Sequence, residues 1–332
     1  MNFTFTPKDL SAIYRRRIEN WALSDAEDAQ KIPRAERVAR GKGFVRAWTL
    51  DQLPAIGNTF GWLKATGTTN IFSVVMPKHG VLKTTLTLNF ARALAINGQR
   101  TLVIGLDIAG DITDCLKPES INSILSLQEE SGLLSVLKTH RASDEVVRPT
   151  NLPTLSYIPE SRDLASVEKS FSLAELTTKL EALVSSLRDR YDTILFDTSS
   201  HFSKLDQASV LIANQIIIPL ACDVSTFRSF PFCIQQINDT LAGRSRPPES
   251  LLFVPTLREL NRLSLEIEAS YRIARPLQTT LRAIGSYPEI TETPTKFSVF
   301  ETMPQHQAAD DYFNIVSQIW ARASTTPESS SA

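Results

Sequence analysis

No apolar run in this 332-residue chain approaches the roughly 18–20 residues needed to span a bilayer. The opening MNFTFTPKDL lacks a basic stretch followed by an apolar core, so no secretion signal is expected. Cysteine is scarce: Cys115, Cys222 and Cys233 are scattered, odd in number and without metal spacing. That argues against a disulfide framework and for a reducing cytoplasm. His140, His201 and His306 are far apart and read as surface or internally satisfied groups, not ligands. No G-x-S-x-G surrounds Ser199–Ser200–His201, which excludes a nucleophile elbow. Internal repeats are absent too.

Net charge is also missing, at −1, but the balance is uneven. Residues 1–65 carry 11 Lys/Arg against 7 Asp/Glu, and the remainder carries 24 against 29. Only the front of the chain is electrostatically suited to nucleic acid, the other reading being a solvated basic face. Pro7–Trp21 has helical periodicity and holds Arg15, Arg16 and Arg17. Ser24–Ile32 reads as a second helix with an N-cap serine and an acidic first turn. Arg34, Arg37, Arg40 and Lys42 lead through Gly41 and Gly43 into an aromatic strand, Phe44–Trp48, that contains Arg46. Thr49 then caps a helix over Leu50–Leu63. Helices, a basic hairpin and a further helix resemble a winged helix-turn-helix. Arg34, Arg37, Arg40, Lys42 and Arg46 are its candidate DNA contacts. Trp21, Trp48, Trp62 and Trp320 read as core residues.

Beyond the linker Ala65–Asn70, apolar runs alternate with helical patterns. Strands are expected at Ile71–Met76, Thr101–Leu106, Leu155–Ile158, Thr193–Phe196, Ile216–Leu220, Leu251–Val254 and Leu281–Ile284. Helices are expected at Thr84–Asn97, Ser172–Arg190, Leu205–Ala213, Thr226–Leu241 and Asp310–Ala323. Strands separated by helices imply an α/β fold with a mostly parallel sheet covered on both faces. The expected division is a front module, 1–66, a sheet domain, 67–323, and a disordered Ser-rich tail, 324–332.

MPKHGVLKTT (Met76–Thr85) lies between the first of these strands and its helix, where a phosphate loop belongs. Such loops turn backbone N–H groups and a helix N-terminus toward phosphates, with a lysine and a Ser/Thr hydroxyl for charge and Mg²⁺. Lys83 and Thr84 hold those two places, while Pro77 and Leu82 stand where the general pattern has glycines. On this pattern alone, a structural strand–helix turn is the competing reading.

The stretch resembles the deviant loop of the ParA/MinD ATPases, K-G-G-V-G-K-T-T. Lys78, Gly80, Val81, Lys83, Thr84 and Thr85 match, whereas His79 and Leu82 replace glycines. Large plasmid-type (SopA-like) ParA proteins, which carry an N-terminal helix-turn-helix module, also have a non-glycine residue before the lysine. TLVIGLD is similar to the family's second strand, with Asp107 retained, Gly105 in place of an aspartate and Ala109 in place of a glutamine. Val146–Glu168 is similar to the family's "nLdliPas" segment, and YDTILFD (Tyr191–Asp197) to its Walker B strand. KFSVFE (Lys296–Glu301) resembles a motif near the C-terminal end of the large plasmid proteins.

The resemblance implies an ATPase using ATP/ADP and Mg²⁺, with the phosphates cradled by residues 78–85 (Lys78, His79, Gly80, Val81, Leu82, Lys83, Thr84 and Thr85). Lys83 would hold the β/γ-phosphates and Lys78 the partner's nucleotide across a homodimer. Thr84 would ligate Mg²⁺, Asp197 would hold a metal-bound water, and Asp107 would position the attacking water. It further implies nucleotide-dependent DNA binding, stimulation by a ParB-type adaptor, repression of the chain's own operon, and a nucleoid-associated cytoplasmic location without membrane contact. A hydrolysis-deficient regulator or scaffold, suggested by His79, Gly105 and Ala109, and a positioning ATPase for another cargo stay open as alternatives.

Overall fold

In the computed structural model of this chain, the apolar runs after residue 70, except Leu281–Ile284, become strands of one sheet. Residues 3–41, 43–118, 132–139, 143–160, 164–272, 278–288 and 296–324 are described. Lys42, His140 and the tail from residue 325 onward lie outside them.

The front segment folds as β1 (Thr4–Phe5), α1 (Pro7–Ile13), α2 (Asn20–Asp28), the hairpin β2 (Glu36–Arg40) and β3 (Gly43–Thr49), a 3₁₀ turn and α3 (Leu53–Phe60). β1 and β2 both pair antiparallel with β3, giving the order β1-β3-β2. The helix expected over Pro7–Trp21 stops at Ile13. Tyr14 is pulled inward to donate its hydroxyl to the carbonyls of Leu53 and Ile96, and Arg15 takes a left-handed φ of 51° that cannot continue a helix. The next helix starts at Asn20, with Glu19 as N-cap. Ser24, expected as that cap, lies inside α2 and donates back to the Asn20 carbonyl. The cap at Thr49 forms as expected, as a capping box with Gln52. Trp48, Trp62 and Trp320 are buried or partly buried, but Trp21 is 68% exposed, contrary to its reading as core.

The body runs β4 (Asn70–Val74), α4 (Lys83–Ile96), β5 (Thr101–Gly105), α5 (Asp111–Leu116), α6 (Leu133–Thr139), α7 (Ser143–Val146), β6 (Arg148–Pro149) and β7 (Leu155–Ile158). It continues with α8 (Leu164–Ser170), α9 (Leu173–Leu187), β8 (Thr193–Asp197), α10 (Lys204–Ile212), β9 (Gln215–Ala221), α11 (Val224–Leu241) and β10 (Ser250–Thr256). It closes with α12 (Arg262–Ser270), β11 (Gln278–Thr280), α13 (Val299–Thr302) and α14 (Gln307–Ser324). The sheet order is β11-β10-β9-β4-β8-β5-β7-β6, parallel except for β6. The last parallel strand falls before Leu281–Ile284, although Leu281 and Ile284 still donate to Phe253 and Pro255 of β10.

Strand alternation splits the core in two. On β8, Leu195 faces one layer, while Ile194 and Phe196 face the other. The Leu195 layer contains α4 and α14, and it also contains Leu10, Ile13, Leu23, Trp48, Ile56 and Phe60 of the front segment. The front therefore shares a continuous core with the body. α3 crosses the end of α4 so closely that a Cβ on Gly57 would lie 1.9 Å from the Ile96 carbonyl oxygen. Trp62 N–H donates to Asn97 Oδ1, and the Trp320 indole to the Lys64 carbonyl. Among the described residues no helix is long and apolar enough to cross a membrane.

Candidate functional site

β4, β8 and β5 are neighbours, with Val74 and Gly105 both in register with Asp197. Their C-terminal ends are thus level, and the segments that follow converge over one edge of the sheet. That edge is where ligands bind in open α/β sheets. α4 starts there at Lys83, immediately after the loop that leaves β4.

The loop is shaped by two left-handed residues, Gly80 (φ 73°) and Leu82 (φ 67°). Leu82 keeps the conformation a glycine adopts without strain, so the chain there is bent as a phosphate loop despite the substitution. His79 has no positive φ, and its ring packs edge-on against His201 at 5.2 Å between centroids. Its side chain is exposed and turned toward His201. Among the described residues, the amides of His79, Gly80, Val81 and Leu82 meet no backbone acceptor. Successive free N–H groups in such a bend make an anion nest. The loop is braced from outside by Thr256 Oγ1 on the Val81 carbonyl, at 3.1 Å.

Lys83 is buried, and its ammonium donates to the Lys78 carbonyl at 2.7 Å and to Ser200 Oγ at 2.6 Å. Thr84 Oγ1 donates to Asp197 Oδ2 at 2.9 Å, and Thr87 Oγ1 to Asp197 Oδ1 at 2.8 Å. Asp197 is wholly buried, and that burial pushes its carboxyl up to about 7 despite the two threonines and Lys83. Burial likewise lowers the Lys83 ammonium, with Asp197 and Asp107 opposing the shift. Both charges are underpaid by their protein partners alone. A phosphate beside Lys83 and a divalent cation beside Thr84 and Asp197 would supply what each lacks, so the donor set fits nucleotide and Mg²⁺. Mg²⁺ commonly takes one or two protein ligands and fills its shell with phosphate and water. Among the described residues no group of three or more His, Cys, Asp or Glu is arranged to hold a metal.

Asp107 lies just beyond β5, partly buried, and accepts from Ala109 N–H at 3.0 Å. The loop carrying it is fastened by Leu106 N–H on the Asp197 carbonyl. Lys78 points the other way, donating to Ser225 Oγ at 3.0 Å on the first turn of α11. Thr85 follows Thr84 on α4 and is partly buried. The structure thus gathers Lys83, Thr84, Asp197 and the 78–82 loop, sets Asp107 alongside, and turns Lys78 toward α11. Sequence reasoning missed Thr87 and Ser200. Thr87 was findable, three residues after Thr84 on one helix face, whereas nothing local marked Ser200.

Arg34, Arg37, Arg40 and Arg46 lie away from this edge, on the front segment. Arg37 and Arg40 are exposed on β2. Arg34 is exposed, 3.6 Å from Asp28. Arg46 is engaged by Glu27 at 2.6 Å and by Ser24, and it stacks over Trp48.

Residues 69–242 match a family described as AAA domain, just over half of the chain. The cell division protein PomZ of Myxococcus xanthus is 24% identical over 259 residues, covering 74% of this chain and 76% of PomZ. The chromosome-partitioning ATPase Soj of Treponema pallidum is 27% identical over 183 residues, 53% of this chain and 66% of Soj. In structure, apo McdA of Cyanothece superposes with a TM-score of 0.63 at 15% identity, covering 76% of this chain and 99% of McdA. Solved neighbours include complexes with ATP and with ADP and magnesium. The chain belongs to the AAA domain family and, within it, to the ParA-like deviant Walker ATPases.

Proposed function

We propose that the chain is an ATP-driven partition ATPase that binds DNA as a nucleotide-dependent homodimer and is stimulated by a ParB-type adaptor. The observation that carries this reading is the Lys83–Thr84–Asp197 cluster at the mouth of a loop bent as a phosphate nest. Lys83 holds the β/γ-phosphate charge, and the loop amides fix the phosphate oxygens. Mg²⁺, held through Thr84 and Asp197, would neutralise the charge that develops during phosphoryl transfer. Asp107 orients the attacking water, and Lys78 leaves Ser225 to reach the partner's nucleotide. Catalysis of this kind is positioning plus charge neutralisation, and the named groups sit on a strand end, in the loops that leave β4 and β5, or in the first turn of α4.

The front segment would be the site-specific DNA-binding part, a winged helix-turn-helix acting at the chain's own operator. In support, α1, α2 and the β2–β3 hairpin follow in that order, and the sheet order β1-β3-β2 leaves β2 as an edge strand, with Arg40, Gly41, Gly43 and Phe44 exposed at the hairpin's tip. In this reading the start of α2, with exposed Trp21 and Asn20, meets the major groove, while Arg34, Arg37, Arg40, Lys42 and Arg46 serve the phosphates. A positioning ATPase for another cargo is the second reading, favoured by the resemblance to PomZ.

The test is titration of the full chain with ATP and Mg²⁺, followed by phosphate release with and without DNA. Saturable binding is expected, weakened at least about tenfold by Lys83→Ala, the loss of a charge-assisted contact of roughly 1.5–3 kcal/mol. Slow release accelerated by DNA is expected as well. No binding at millimolar ATP overturns the ATPase reading.

A further inference from the structure

The end of β7 delivers a carboxylate to the Asp107 loop. Ile158 is in register with Ile104, so the chain leaving β7 runs beside the end of β5. Two residues on, Glu160 accepts from Thr113 Oγ1 at 2.5 Å and from Thr113 N–H at 3.3 Å. Thr113 lies in α5, the helix that follows the loop carrying Asp107. Space at this point is shared with residue 105. A Cβ on Gly105 would lie 1.9 Å from Glu160 Oε2, 2.7 Å from its Cδ and 3.1 Å from Ile112 Cγ2.

We propose that Glu160 is a positioning residue for Asp107, a carboxylate strut that reaches from β7 through the space left by Gly105 and fastens α5 to the sheet. The loop is tied at its β5 side by the Leu106 N–H bond to the Asp197 carbonyl, and Glu160 supplies the tie at its α5 side. Between these ties the loop closes on itself, with Gly110 N–H on the Asp107 carbonyl and Ala109 N–H on Asp107 Oδ1. Glycine at 105 and glutamate at 160 are therefore one unit, because the side chain of either fills the room of the other. A carboxylate carried on β5 could serve the same place once Glu160 is shortened, and position 105 is where the ParA-type pattern has an aspartate.

The inference rests on the ATPase reading, and full-length Glu160→Ala, Glu160→Gln, Gly105→Asp and the Gly105→Asp/Glu160→Ala double variant test it. ATP turnover, KM, nucleotide affinity and thermal midpoint are measured for each. Glu160→Ala should lose about tenfold in kcat, as expected for a misplaced water-orienting group, with nucleotide affinity unchanged. Glu160→Gln, which still accepts from Thr113, should retain most of the turnover. Gly105→Asp should be impaired on its own, and the double variant should recover relative to Gly105→Asp. Unchanged turnover in Glu160→Ala overturns the proposal. So does a double variant no better than Gly105→Asp, or a loss in Glu160→Ala and Glu160→Gln alike that follows the thermal midpoint. Absence of turnover in the unsubstituted chain overturns the ATPase reading and this proposal together; a turnover that Glu160→Ala shares overturns this proposal alone.

Discussion

The Arg92 guanidinium and the Glu301 carboxylate meet with both side chains wholly removed from solvent, Nε and Nη2 donating to Oε2 and Oε1 at 2.6 and 2.5 Å. Arg92 lies on α4, the helix that begins with Lys83, and Glu301 is the last residue of KFSVFE. Glu301 also accepts from Ser298 N–H and Oγ, each at 2.7 Å, and Asn89 Oδ1 accepts from Val299 N–H. The motif thus clamps α13 onto the helix of the phosphate loop. Removing one partner of a buried pair strands the other charge, at a cost of about 3–5 kcal/mol. Glu301→Ala should lose that much in urea unfolding, whereas Arg92→Met with Glu301→Leu should lose far less. Equal losses would mean that packing, not charge, holds the clamp.

The junction between front segment and body is tested at Gly57. A methyl group there meets backbone atoms, the Ile96 oxygen at 1.9 Å and the Asn97 Cα at 2.7 Å, which cannot rotate aside. Gly57→Ala should destabilise the whole chain by at least about 1–3 kcal/mol, the usual cost of overpacking, in a single unfolding transition. A separate early transition would show that the front unfolds alone.

Leu82 carries a left-handed backbone that costs a side-chain-bearing residue about 1–2 kcal/mol. Glycine relieves this strain and returns about 0.5–1 kcal/mol through its looser unfolded chain. Leu82→Gly should therefore leave the thermal midpoint equal or slightly raised and nucleotide affinity no weaker. A clear fall in stability would assign the Leu82 side chain an anchoring role.

Asp197 sets a pH dependence. Its carboxyl is raised by burial to about 7 in the folded chain, from an ordinary value of 3.8. The folded state therefore binds this proton more tightly than the unfolded state, and the associated stability is present below about pH 4 and lost as pH rises to about 7. Asp197→Asn removes the titration, so its stability relative to the unsubstituted chain should improve across that window, by at most about 4 kcal/mol. Urea unfolding without nucleotide at pH 5 and pH 8 measures the difference. The same slope in both proteins would place the titration elsewhere, Glu160 being the other carboxyl raised to about 7.

For the front segment, Arg37→Ala and Arg40→Ala should each weaken binding alike on all DNA sequences and reduce the salt slope by about one. Arg46→Ala should act differently, because its guanidinium is held by Glu27 and Ser24. There the thermal midpoint should fall as well. Salt slopes unchanged in both exposed variants would leave the hairpin without a phosphate-binding role.

Signals confined to a few neighbouring residues decided much of this protein in advance. Continuous apolar runs and period-3.6 patterns placed the central strands and long helices, and hence the parallel sheet. Lys83–Thr84 followed a strand, Asp197 ended one, and Thr49 with Gln52 spelled a cap. Each of these needs only the chain's own next turn to express itself. The rest depended on contacts across the sequence. The helix breaks after Ile13 because Tyr14 bonds to Leu53 and Ile96, 39 and 82 residues away. His79 is accommodated in the loop because His201 receives its ring. Trp21 faces outward because the first helix ends at Ile13 and Trp21 falls instead in the first turn of α2, whose buried face is taken by Leu23 and Ala26. Glu160 meets Gly105 only because β5 and β7, separated in the chain by α5, α6, α7 and β6, are laid side by side in parallel register. Periodicity reports what one segment does with its own hydrogen bonds and apolar face, whereas these side chains are placed by which segment packs beside them, and no local pattern encodes that choice.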